Sequence, residues 1–302
     1  MNNEFNTIAV LGRDDDPRVA EPISLLARYL TEAGRDVIAA PGISQEISVR
    51  EVDEAGLADE ADLIIAVGGD GTMLYAAGLA QSKSVPLLGV NRGRLGFLAD
   101  IRPTEMLESL GKVLEGEYEL ESRLLLNASI VDSEGGEISA VALNDIVLQR
   151  RETGRMLDFR TSIADRYVNT HSGDGLIIAT PTGSTAYSLS CGGPIIDPAL
   201  DAVVIVPICP HTLSDRPIVI PAHQLIEVTL LERADTQAEV AIDGHSIGEF
   251  AAGDRLLISR SENRITLVHP PGYDYYEILR SKLHWGLDSR IRGGDADRGG
   301  NN

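Results

Sequence analysis

Hydrophobic runs and helix-forming segments alternate along the first third of the chain. Strands are predicted where short apolar, β-branched runs end in turn residues, over residues 7–11, 36–40, 62–67 and 86–90. Helices are predicted from Pro17 onward, over residues 73–81 and over residues 103–115. Strands that alternate with helices in this way predict a parallel, doubly wound, Rossmann-like α/β sheet.

From residue 118 onward, the pattern changes to strand-like runs with turn residues every eight to twelve positions. The predicted strands cover residues 118–132, 138–150, 156–168, 176–180, 202–207, 217–220, 225–231, 238–242, 255–259 and 264–268. Many strands with regular turns and no intervening helices predict an all-β, sandwich-like domain. A helix is predicted again over residues 275–283.

Composition excludes several classes of protein. The 302 residues include 26 basic and 46 acidic side chains, a net charge of −20, which argues against a nucleic-acid binder or a polybasic membrane binder. No run of 18 apolar residues and no secretory signal is present. Two cysteines form no disulfide framework, so we expect a reducing, cytoplasmic setting without membrane or nucleic-acid partners.

The segment Gly68–Thr72 (GGDGT) follows the most hydrophobic predicted strand and precedes a predicted helix. Ligands of α/β sheets bind at this end of the strands. Glycines allow the backbone to approach a ligand closely, and N–H groups at a helix N-terminus suit a phosphate. A carboxylate beside phosphates is explained if Asp70 accepts a proton from an attacking hydroxyl or helps to hold a cation. The alternative is a glycine-rich turn in which Asp70 only caps the helix.

A second polar segment surrounds the predicted strand at residues 176–180. Residues 173–175 read Gly-Asp-Gly, and residues 180–187 carry five hydroxyl groups. These hydroxyls can donate to ribose or phosphate oxygens, and Tyr187 can stack on a base. The alternative is a solvated Ser/Thr loop, but an apolar strand leads directly into it.

Asn144 and Asp145 interrupt the apolar run at residues 141–148. Adjacent residues of a strand face opposite sides, so at least one of the two is expected to point inward, where it needs a polar partner. A bound ribose or adenine amine is one such partner, and a β-bulge is the alternative explanation. The six histidines have no metal-ligand spacing; except for His245, we expect them to be structural or exposed.

Taken together, these segments resemble the bacterial NAD kinases, most closely the Gram-negative members. The resemblance runs from about residue 7 to residue 285. The motifs that carry it, in the family's order, are GGDGT (68–72), NRGRLGFL (91–98), LND (143–145), GDGLI (173–177), TPTGSTAYSLS (180–190), GGPI (192–195), PHTL (210–213) and RPIVIP (216–221). GGDG also occurs in diacylglycerol-type lipid kinases and phosphofructokinases, whereas TPTGSTAY is far more specific.

The resemblance implies an N-terminal α/β domain (1–117) and a C-terminal β-sandwich domain (118–270), with residues 271–291 returning to the first domain. The tail, 292–302, is expected to be disordered. The implied reaction transfers the γ-phosphoryl group of ATP to the 2′-hydroxyl of the adenosine ribose of NAD, giving NADP. Mg²⁺ is expected to enter on the ATP phosphates, without a cage of protein ligands. The implied site lies between the domains and between the subunits of a homodimer or homotetramer.

The resemblance also implies roles for individual residues. Asp70 is similar to the family's proton acceptor, with Gly71 beside it; Asn144 and Asp145 match the pair that holds the NAD ribose and adenine. Asp174 resembles the acid on the nicotinamide side of the dinucleotide. The remaining implied binding residues are Arg155 and the loop residues Thr182, Thr185, Ala186, Tyr187, Ser188, Leu189 and Ser190.

Three positions depart from many relatives. Asp145 stands where many have Glu, and Ser172, near the nicotinamide end, stands where several have Arg, which leaves the preference between NAD and NADH open. His245 stands where many have Gln, so we predict a modest pH dependence of NAD binding. Because the chain is acidic, phosphate charge must be neutralised locally; Arg13, Arg92 and Arg94 are candidates by placement.

Two other functions compete with this prediction. A lipid kinase of the diacylglycerol type shares GGDG, but TPTGSTAY and the acidic charge argue against it. A non-catalytic NAD(P) sensor would keep the pocket, but it has no use for the Asp70 carboxylate. The sequence leaves open ATP against inorganic polyphosphate as donor, the size of the oligomer and feedback by NADPH or NADH.

Overall fold

The structure is a computed structural model that describes residues 5–12, 17–43, 47–93, 96–151, 156–231 and 237–285. Arg13, Arg94, Arg155 and the tail at 292–302, which the sequence analysis singles out, lie outside these residues. Among the described residues, no helix is long and apolar enough to span a bilayer.

The first half of the chain alternates strands and helices, as predicted. Its elements are β1 (Thr7–Gly12), α1 (Pro17–Glu32), β2 (Asp36–Ala39), β3 (Arg50–Glu51), α2 (Glu54–Glu60), β4 (Leu63–Gly68), α3 (Asp70–Ala80), β5 (Leu87–Asn91) and α4 (Met106–Leu114). Helix α1 begins at the predicted proline, whose missing N–H costs nothing at the first helical position. The elements β3 and α2 are additional to the predicted ones; α2 buries only Leu57 and Ala58, too few residues for a hydrophobic periodicity.

The second half consists mostly of strands, as predicted. Its elements are β6 (Glu119–Val131), β7 (Glu137–Ala142), β8 (Asp145–Arg150), β9 (Leu157–Ile163), β10 (Arg166–Gly173), β11 (Gly175–Ala179), a 3₁₀ turn (Thr182–Thr185), α5 (Tyr187–Ser190), β12 (Ala202–Ile208), β13 (Ile218–Pro221), β14 (Ile226–Leu230), β15 (Ala238–Ile242), β16 (His245–Phe250), β17 (Arg255–His269) and α6 (Tyr275–Leu283).

Two runs predicted as single strands are each divided, and those predictions are wrong. Residues 138–150 form β7 and β8, which belong to different sheets, because the chain leaves one sheet at Leu143 and Asn144. Residues 156–168 form the hairpin of β9 and β10, which turns at Ala164 and Asp165 with φ of 47° and 60°. This tight turn contains no glycine, so its sequence lacks the usual signal.

Conversely, the runs predicted over 255–259 and 264–268 form one strand, β17. A register shift between Arg260 and Arg264 accommodates the polar residues that separate the two runs. Strand β16 is also additional to the predicted set. It follows the turn at Asp243 and Gly244, which have φ of 49° and 85°, the conformation that an Asp-Gly hairpin turn requires.

Two sheets make up the fold. The larger has the order β10-β9-β14-β17-β5-β4-β1-β2-β3, with β6 paired to β17 and β7 to β6; the smaller has the order β13-β12-β11-β8-β15-β16. Strands β1 to β5 pair in parallel, and β17 joins them through Leu267 and Leu87 while it pairs antiparallel with β6 and β14. One sheet therefore runs without interruption from the α/β half into the β half.

The sandwich core lies between the smaller sheet and the β6-β9-β14-β17 part of the larger one. Its side chains, such as Phe159 and Leu256 from one sheet and Ile146 and Ile178 from the other, are buried. Each buried side chain of this size contributes roughly 1.5–3 kcal/mol relative to exposure. The domain limits inferred from the sequence remain predictions. Helix α6 places Lys282 Nζ 6.0 Å from the centre of the Phe97 ring.

Candidate active site

Asp70 lies where β4 ends and α3 begins, at the carboxyl edge of the parallel strands. Small residues on the buried face of α3, among them Ala76 and Ala77, let the helix lie close to the sheet. A side chain at Gly68 would collide with Thr72, whereas a Cβ at Gly71 would have no neighbour within 4 Å. The turn is therefore tightly packed on its inner side and open on its outer side, where a ligand can reach the backbone.

The Asp70 carboxylate accepts three hydrogen bonds from consecutive backbone N–H groups. Oδ2 accepts from Phe97 N at 3.0 Å, and Oδ1 accepts from Leu98 N and Ala99 N at 3.0 and 3.3 Å. Gly96 is required next to it, since any Cβ there would overlap Oδ1. These contacts fix the direction of the carboxylate and tie the loop at 96–99 to the start of α3.

A second carboxylate, Asp243, organises the chain around Asn144 and Asp145. It accepts hydrogen bonds from the backbone N–H groups of Leu143, Asn144 and Asp145 at 2.8, 2.8 and 3.0 Å. Thr180 adds a bond from its hydroxyl to the Leu143 carbonyl. These bonds replace sheet pairing at residues 143–144 and explain why the predicted strand is broken there. Sequence reasoning missed Asp243; the Asp-Gly hairpin signal could have found the turn but not its target.

The two neighbouring acids share a buried position. Burial, and then the charge of Asp243, raise the pKa of Asp145 to about 7. Burial also raises the pKa of Asp243, although its three backbone N–H donors oppose the shift. Among the described residues, no side-chain hydrogen bond reaches the Asp145 carboxyl group, so Asp145 takes up a proton before Asp243 does. Asp145 is thus a buried polar side chain with no hydrogen-bond partner for its carboxyl group among the described residues.

The hydroxyl-rich segment is divided between internal bonds and exposed groups. Ser184 is buried, bonding the Pro181 carbonyl and accepting from Ile196 N, and Thr180 accepts from Gly183 N. These two hydroxyls hold the loop and are not free for a ligand. Of the implied binding residues, Thr182 and Ser188 are buried; Thr185, Ala186 and Leu189 are half-buried; Tyr187 and Ser190 are exposed.

Gly183 brings this loop against the Asn144-Asp145 segment, because a Cβ there would overlap the Asn144 carbonyl. Thr180 N donates to that same carbonyl at 2.9 Å. The structure thus places the 180–185 turn directly beside Asn144.

The implied nicotinamide-side residues lie near the β10–β11 junction. Asp174 forms a bidentate ion pair with Arg150, with Nε–Oδ1 and Nη2–Oδ2 distances of 3.0 and 3.4 Å. Ser172 donates its hydroxyl to Asp158. Both predicted residues are therefore held by protein partners, and Asp174 keeps part of its carboxylate accessible.

A cavity of about 1090 Å³ connects the glycine-rich turn with the β15–β16 hairpin. Its polar lining includes Gly69, Gly71, Arg92, Asp243 and His245. Its apolar wall comes from the carboxyl ends of β1 and β2 and from the outer side of α3, with Leu11, Pro41, Ile43, Tyr75 and Leu79. Asn144, Asp145, Asp174 and the implied residues of the 182–190 loop are not part of this lining.

The cavity therefore extends to one side of Asp70, and the implied dinucleotide residues lie beyond its lining. Sequence reasoning missed Tyr75 and the β2 end, which have no motif of their own. Among the described residues, no three His, Cys, Asp or Glu side chains are grouped as a metal would require. The arrangement offers an oriented carboxylate, open backbone N–H groups and a large cleft, the components that phosphoryl transfer needs.

Comparison with known proteins agrees with this geometry. Residues 10–118 match the ATP-NAD kinase N-terminal domain, and residues 143–270 match the ATP-NAD kinase C-terminal domain. The chain is 41% identical over 296 residues to the NAD kinase of Aromatoleum aromaticum, covering 96% of this chain and 97% of that one. It is 43% identical over 288 residues to the NAD kinase of Nitrosospira multiformis, covering 94% and 97%.

Two solved structures share the fold. Yeast NADH kinase complexed with NADH superposes with a TM-score of 0.89 at 23% identity, covering 96% of this chain and 90% of that one. An NAD kinase from Archaeoglobus fulgidus in complex with ATP superposes with a TM-score of 0.71 at 25% identity, covering 91% and 99%. The predicted combination of an α/β half and a β-sandwich half is confirmed.

Proposed function

This chain belongs to the NAD kinase family, and we propose that it transfers the γ-phosphoryl group of ATP to the 2′-hydroxyl of the adenosine ribose of NAD, with Asp70 as the base. The observation that carries this assignment is the Asp70 carboxylate, fixed by three backbone N–H groups at the start of α3 beside an open glycine backbone. It combines an oriented proton acceptor with a position suited to phosphate.

The reaction needs little covalent chemistry from the protein. The 2′-oxygen attacks the γ-phosphorus, the bond from that phosphorus to the β-bridging oxygen breaks, and ADP leaves. Asp70 accepts the proton of the 2′-hydroxyl, which raises the nucleophilicity of the oxygen as the new bond forms. The three N–H groups fix the direction of the Asp70 carboxylate, so it does not have to be oriented during the reaction.

The cavity is the proposed site of the donor. ATP phosphates would lie against the N–H groups of Gly69 and Gly71 and near Arg92, and the adenine against the apolar wall that includes Ile43 and Tyr75. Because the protein has a net charge of −20, the negative charge of the ATP phosphates must be neutralised by groups within the site. ATP is therefore proposed to enter as its Mg²⁺ complex, since the described residues group no metal-ligating side chains.

The dinucleotide is proposed to bind across the sandwich side of the site. Asn144 and Asp145 would hold the ribose and adenine, Asp174 the nicotinamide side, and the 182–190 loop with Tyr187 would cover the ligand. The unpartnered Asp145 carboxyl group and the exposure of Tyr187 support these roles. Arg155 and the contribution of Ser172 to the choice between NAD and NADH remain predictions.

A homodimer or homotetramer, in the cytoplasm, is part of the proposal. Leu213 is 93% exposed, and Ile218 and Val219 are exposed on β13, which lies at the edge of the smaller sheet. Apolar side chains on an unpaired edge support contact with a second copy of the chain.

A coupled assay tests the function. The purified protein is incubated with ATP, Mg²⁺ and NAD, and an NADP-specific dehydrogenase reports the product. We expect NADP formation by the wild type and none by Asp70→Asn. If neither ATP nor polyphosphate as donor, nor NADH in place of NAD, gives product with the wild type, the kinase assignment is wrong and a sensor or lipid kinase replaces it.

A further inference from the structure

Four charged side chains, two of them buried and two partly buried, form a cluster that the reaction described above does not use. They are Asp100, which follows the loop at 96–99, Glu121 and Arg123 on β6, and His269 at the end of β17. Arg123 and His269 are each only 2% exposed. Buried charges of this kind are costly unless they are paired, so their arrangement calls for an explanation.

His269 is the centre of the cluster. Its Nδ1 lies 2.8 Å from Asp100 Oδ2, and its Nε2 lies 3.1 Å from Glu121 Oε2. A neutral imidazole has one N–H and could donate to only one of these carboxylates, whereas an imidazolium donates to both. With both carboxylates ionised, this geometry favours the charged form of His269.

Glu121 remains an ionised acceptor for His269. Burial opposes its charge, but its contacts with His269 and with Arg123, whose Nη2 lies 2.5 Å from Glu121 Oε2, lower the pKa of Glu121. The Tyr273 ring stacks on His269 with a centroid separation of 3.7 Å. The hydroxyl of Tyr273 also donates to Glu121 at 3.4 Å. Burial works against the imidazolium, but its hydrogen bonds to Asp100 and Glu121 outweigh burial and raise the pKa of His269.

The cluster joins the two polypeptide segments that shape the site. On one side, Asp100 directly follows Leu98 and Ala99, whose N–H groups hold the Asp70 carboxylate. On the other side, Arg123 Nη1 donates to Thr182 Oγ1 at 3.2 Å, at the start of the turn that packs against Asn144. Leu98, Ala99 and the β17 residues Ile265 and Leu267 belong to one buried apolar cluster, so the loop at 96–99 and β17 are part of the same packed core.

We propose that His269 is a positioning residue for phosphoryl transfer: held as an imidazolium between Asp100 and Glu121, it fixes the loop that orients Asp70 and, through Glu121 and Arg123, the turn that carries Thr182. The inference rests on the proposed kinase activity. Deprotonation of His269 breaks its hydrogen bond to one of the two carboxylates. The Asp70 carboxylate is then held less precisely relative to the 2′-hydroxyl of the bound NAD. A small misalignment is enough to reduce turnover, because the reacting atoms must be closely aligned.

The test compares the wild type, His269→Gln and the matched control His223→Gln, which changes an exposed histidine outside the cluster. Values of kcat and KM for NAD are measured from about pH 6 to about pH 9.5. We expect the control to follow the wild type. His269→Gln should lower kcat about tenfold near neutral pH, change KM within about threefold, and lack the alkaline fall of the wild type, so that the two curves converge at high pH.

Asp100→Asn provides a second variant with a distinct signature. The imidazolium then keeps one carboxylate instead of two, so the alkaline fall in kcat should move to lower pH. A histidine with a merely structural role would lower activity by the same factor at every pH. Folding of each variant is checked by its thermal unfolding.

Titration of the histidine ring signals by NMR in the wild type, with His269 identified by its absence in His269→Gln, tests the charge directly. We expect His269 to stay protonated to a higher pH than free histidine; a neutral ring at pH 7 would overturn the proposal. If the wild type is active and kcat of His269→Gln follows the same pH dependence as kcat of the wild type, only the positioning role of His269 is overturned. An inactive wild type would overturn the kinase assignment and this inference together.

Discussion

Asp70 in the α/β half and Asp243 in the β half each accept hydrogen bonds from three consecutive backbone N–H groups of a distant segment. For Asp70 the distances are 3.0, 3.0 and 3.3 Å, and for Asp243 they are 2.8, 2.8 and 3.0 Å. Each carboxylate shapes a loop of the site, the first at 97–99 and the second at 143–145. The surroundings of the two carboxylates, however, are different.

Asp70 starts a helix next to Gly71, where a Cβ would have no neighbour within 4 Å, so its carboxylate is held while the residue stays partly exposed. Asp243 lies at a hairpin turn next to the segment that it holds, and the neighbouring buried acid is Asp145. Asp243 therefore acts on the site indirectly, by holding Asp145 and raising its pKa. The same hydrogen-bonding pattern therefore supports the proposed base in one half and the proposed dinucleotide site in the other. Substitution of Asp70 should then lower turnover, and substitution of Asp243 should weaken binding of the dinucleotide.

The largest effect is expected for Asp70→Asn. Turnover should fall roughly 10²–10⁴-fold, the usual contribution of a general base, while the dissociation constant of NAD changes by less than about threefold. The amide can replace only one oxygen acceptor, so unfolding free energy should also fall by about 1–3 kcal/mol. The measurements are the coupled assay, calorimetric NAD binding and thermal unfolding.

The control for Asp70→Asn is Asp59→Asn, which makes the same chemical change at an exposed residue paired with Lys83. It should keep wild-type turnover. Turnover of Asp70→Asn within tenfold of the wild type, or parallel losses of turnover and NAD affinity, would remove the support for Asp70 as the base.

Asp243→Asn should show the reverse pattern. Its amide nitrogen would face backbone N–H donors, so the segment at 143–145 loses part of its support and NAD binding should weaken about 10–100-fold. At saturating NAD, turnover should fall less than about tenfold. The measurement is the split between KM and kcat, together with calorimetric binding.

Asp132→Asn is the matched control for Asp243→Asn. Asp132 Oδ1 also accepts backbone N–H groups, from Glu134 and Gly136 at 2.8 Å each, but in the exposed β6–β7 turn. It should bind NAD as the wild type does. Wild-type affinity in Asp243→Asn would show that the hairpin carboxylate plays no part in shaping the site.

Asp145→Asn should raise stability while it weakens NAD binding. The pKa of Asp145 is raised from 3.8 to about 7, so the folded protein binds more protons than the unfolded chain between these values. Wild-type stability therefore falls as pH rises through this window and stays reduced above it. The variant lacks this penalty and should be more stable by on the order of 2 kcal/mol at about pH 8, with no advantage near pH 4.

Thermal unfolding at the two pH values checks this prediction. Asp165→Asn, at the exposed β9–β10 turn, should keep the wild-type pH dependence. An Asp145→Asn protein whose stability relative to the wild type is the same at both pH values would contradict the assignment of the proton to Asp145.

Local signals explain which parts of this comparison could be predicted from the sequence. The GGDGT segment indicates a role for Asp70 because it lies between an apolar strand and a helix. The Asn144-Asp145 pair indicates a ligand site because it interrupts an apolar run. The parallel sheet of the first half follows from the alternation of strands and helices. These features depend on neighbouring residues, which the sequence displays directly.

The remaining features depend on contacts over long separations. Asp243 acts on residues about 100 positions earlier, and His269 meets Asp100 across 169 positions, so neither role leaves a local pattern. The break at residues 143–144 has apolar residues on both sides, and only the bonds to Asp243 and Thr180 create it. The β9–β10 turn places Ala164 at positive φ, against its own preference, because strand pairing decides the turn.

The smallest effect is expected at His245, an exposed residue that follows the Asp243 turn and lies where the proposed donor cavity borders the sandwich side of the site. A charged imidazole at this position would attract the phosphates of a bound dinucleotide, whereas Asp145, whose pKa is raised to about 7, loses its charge as the pH falls. Exposed charges contribute roughly 0.2–1 kcal/mol, so His245→Gln should change the ratio of NAD dissociation constants at about pH 5.5 and about pH 8 by about 1.4- to fivefold. Calorimetry on His245→Gln, Asp145→Asn and the double variant separates the two titrations: the double variant should be flat. Flat binding in the wild type and in both single variants would mean that neither group next to Asp243 senses the ligand, and the contrast between the two carboxylates would then rest on Asp70 alone.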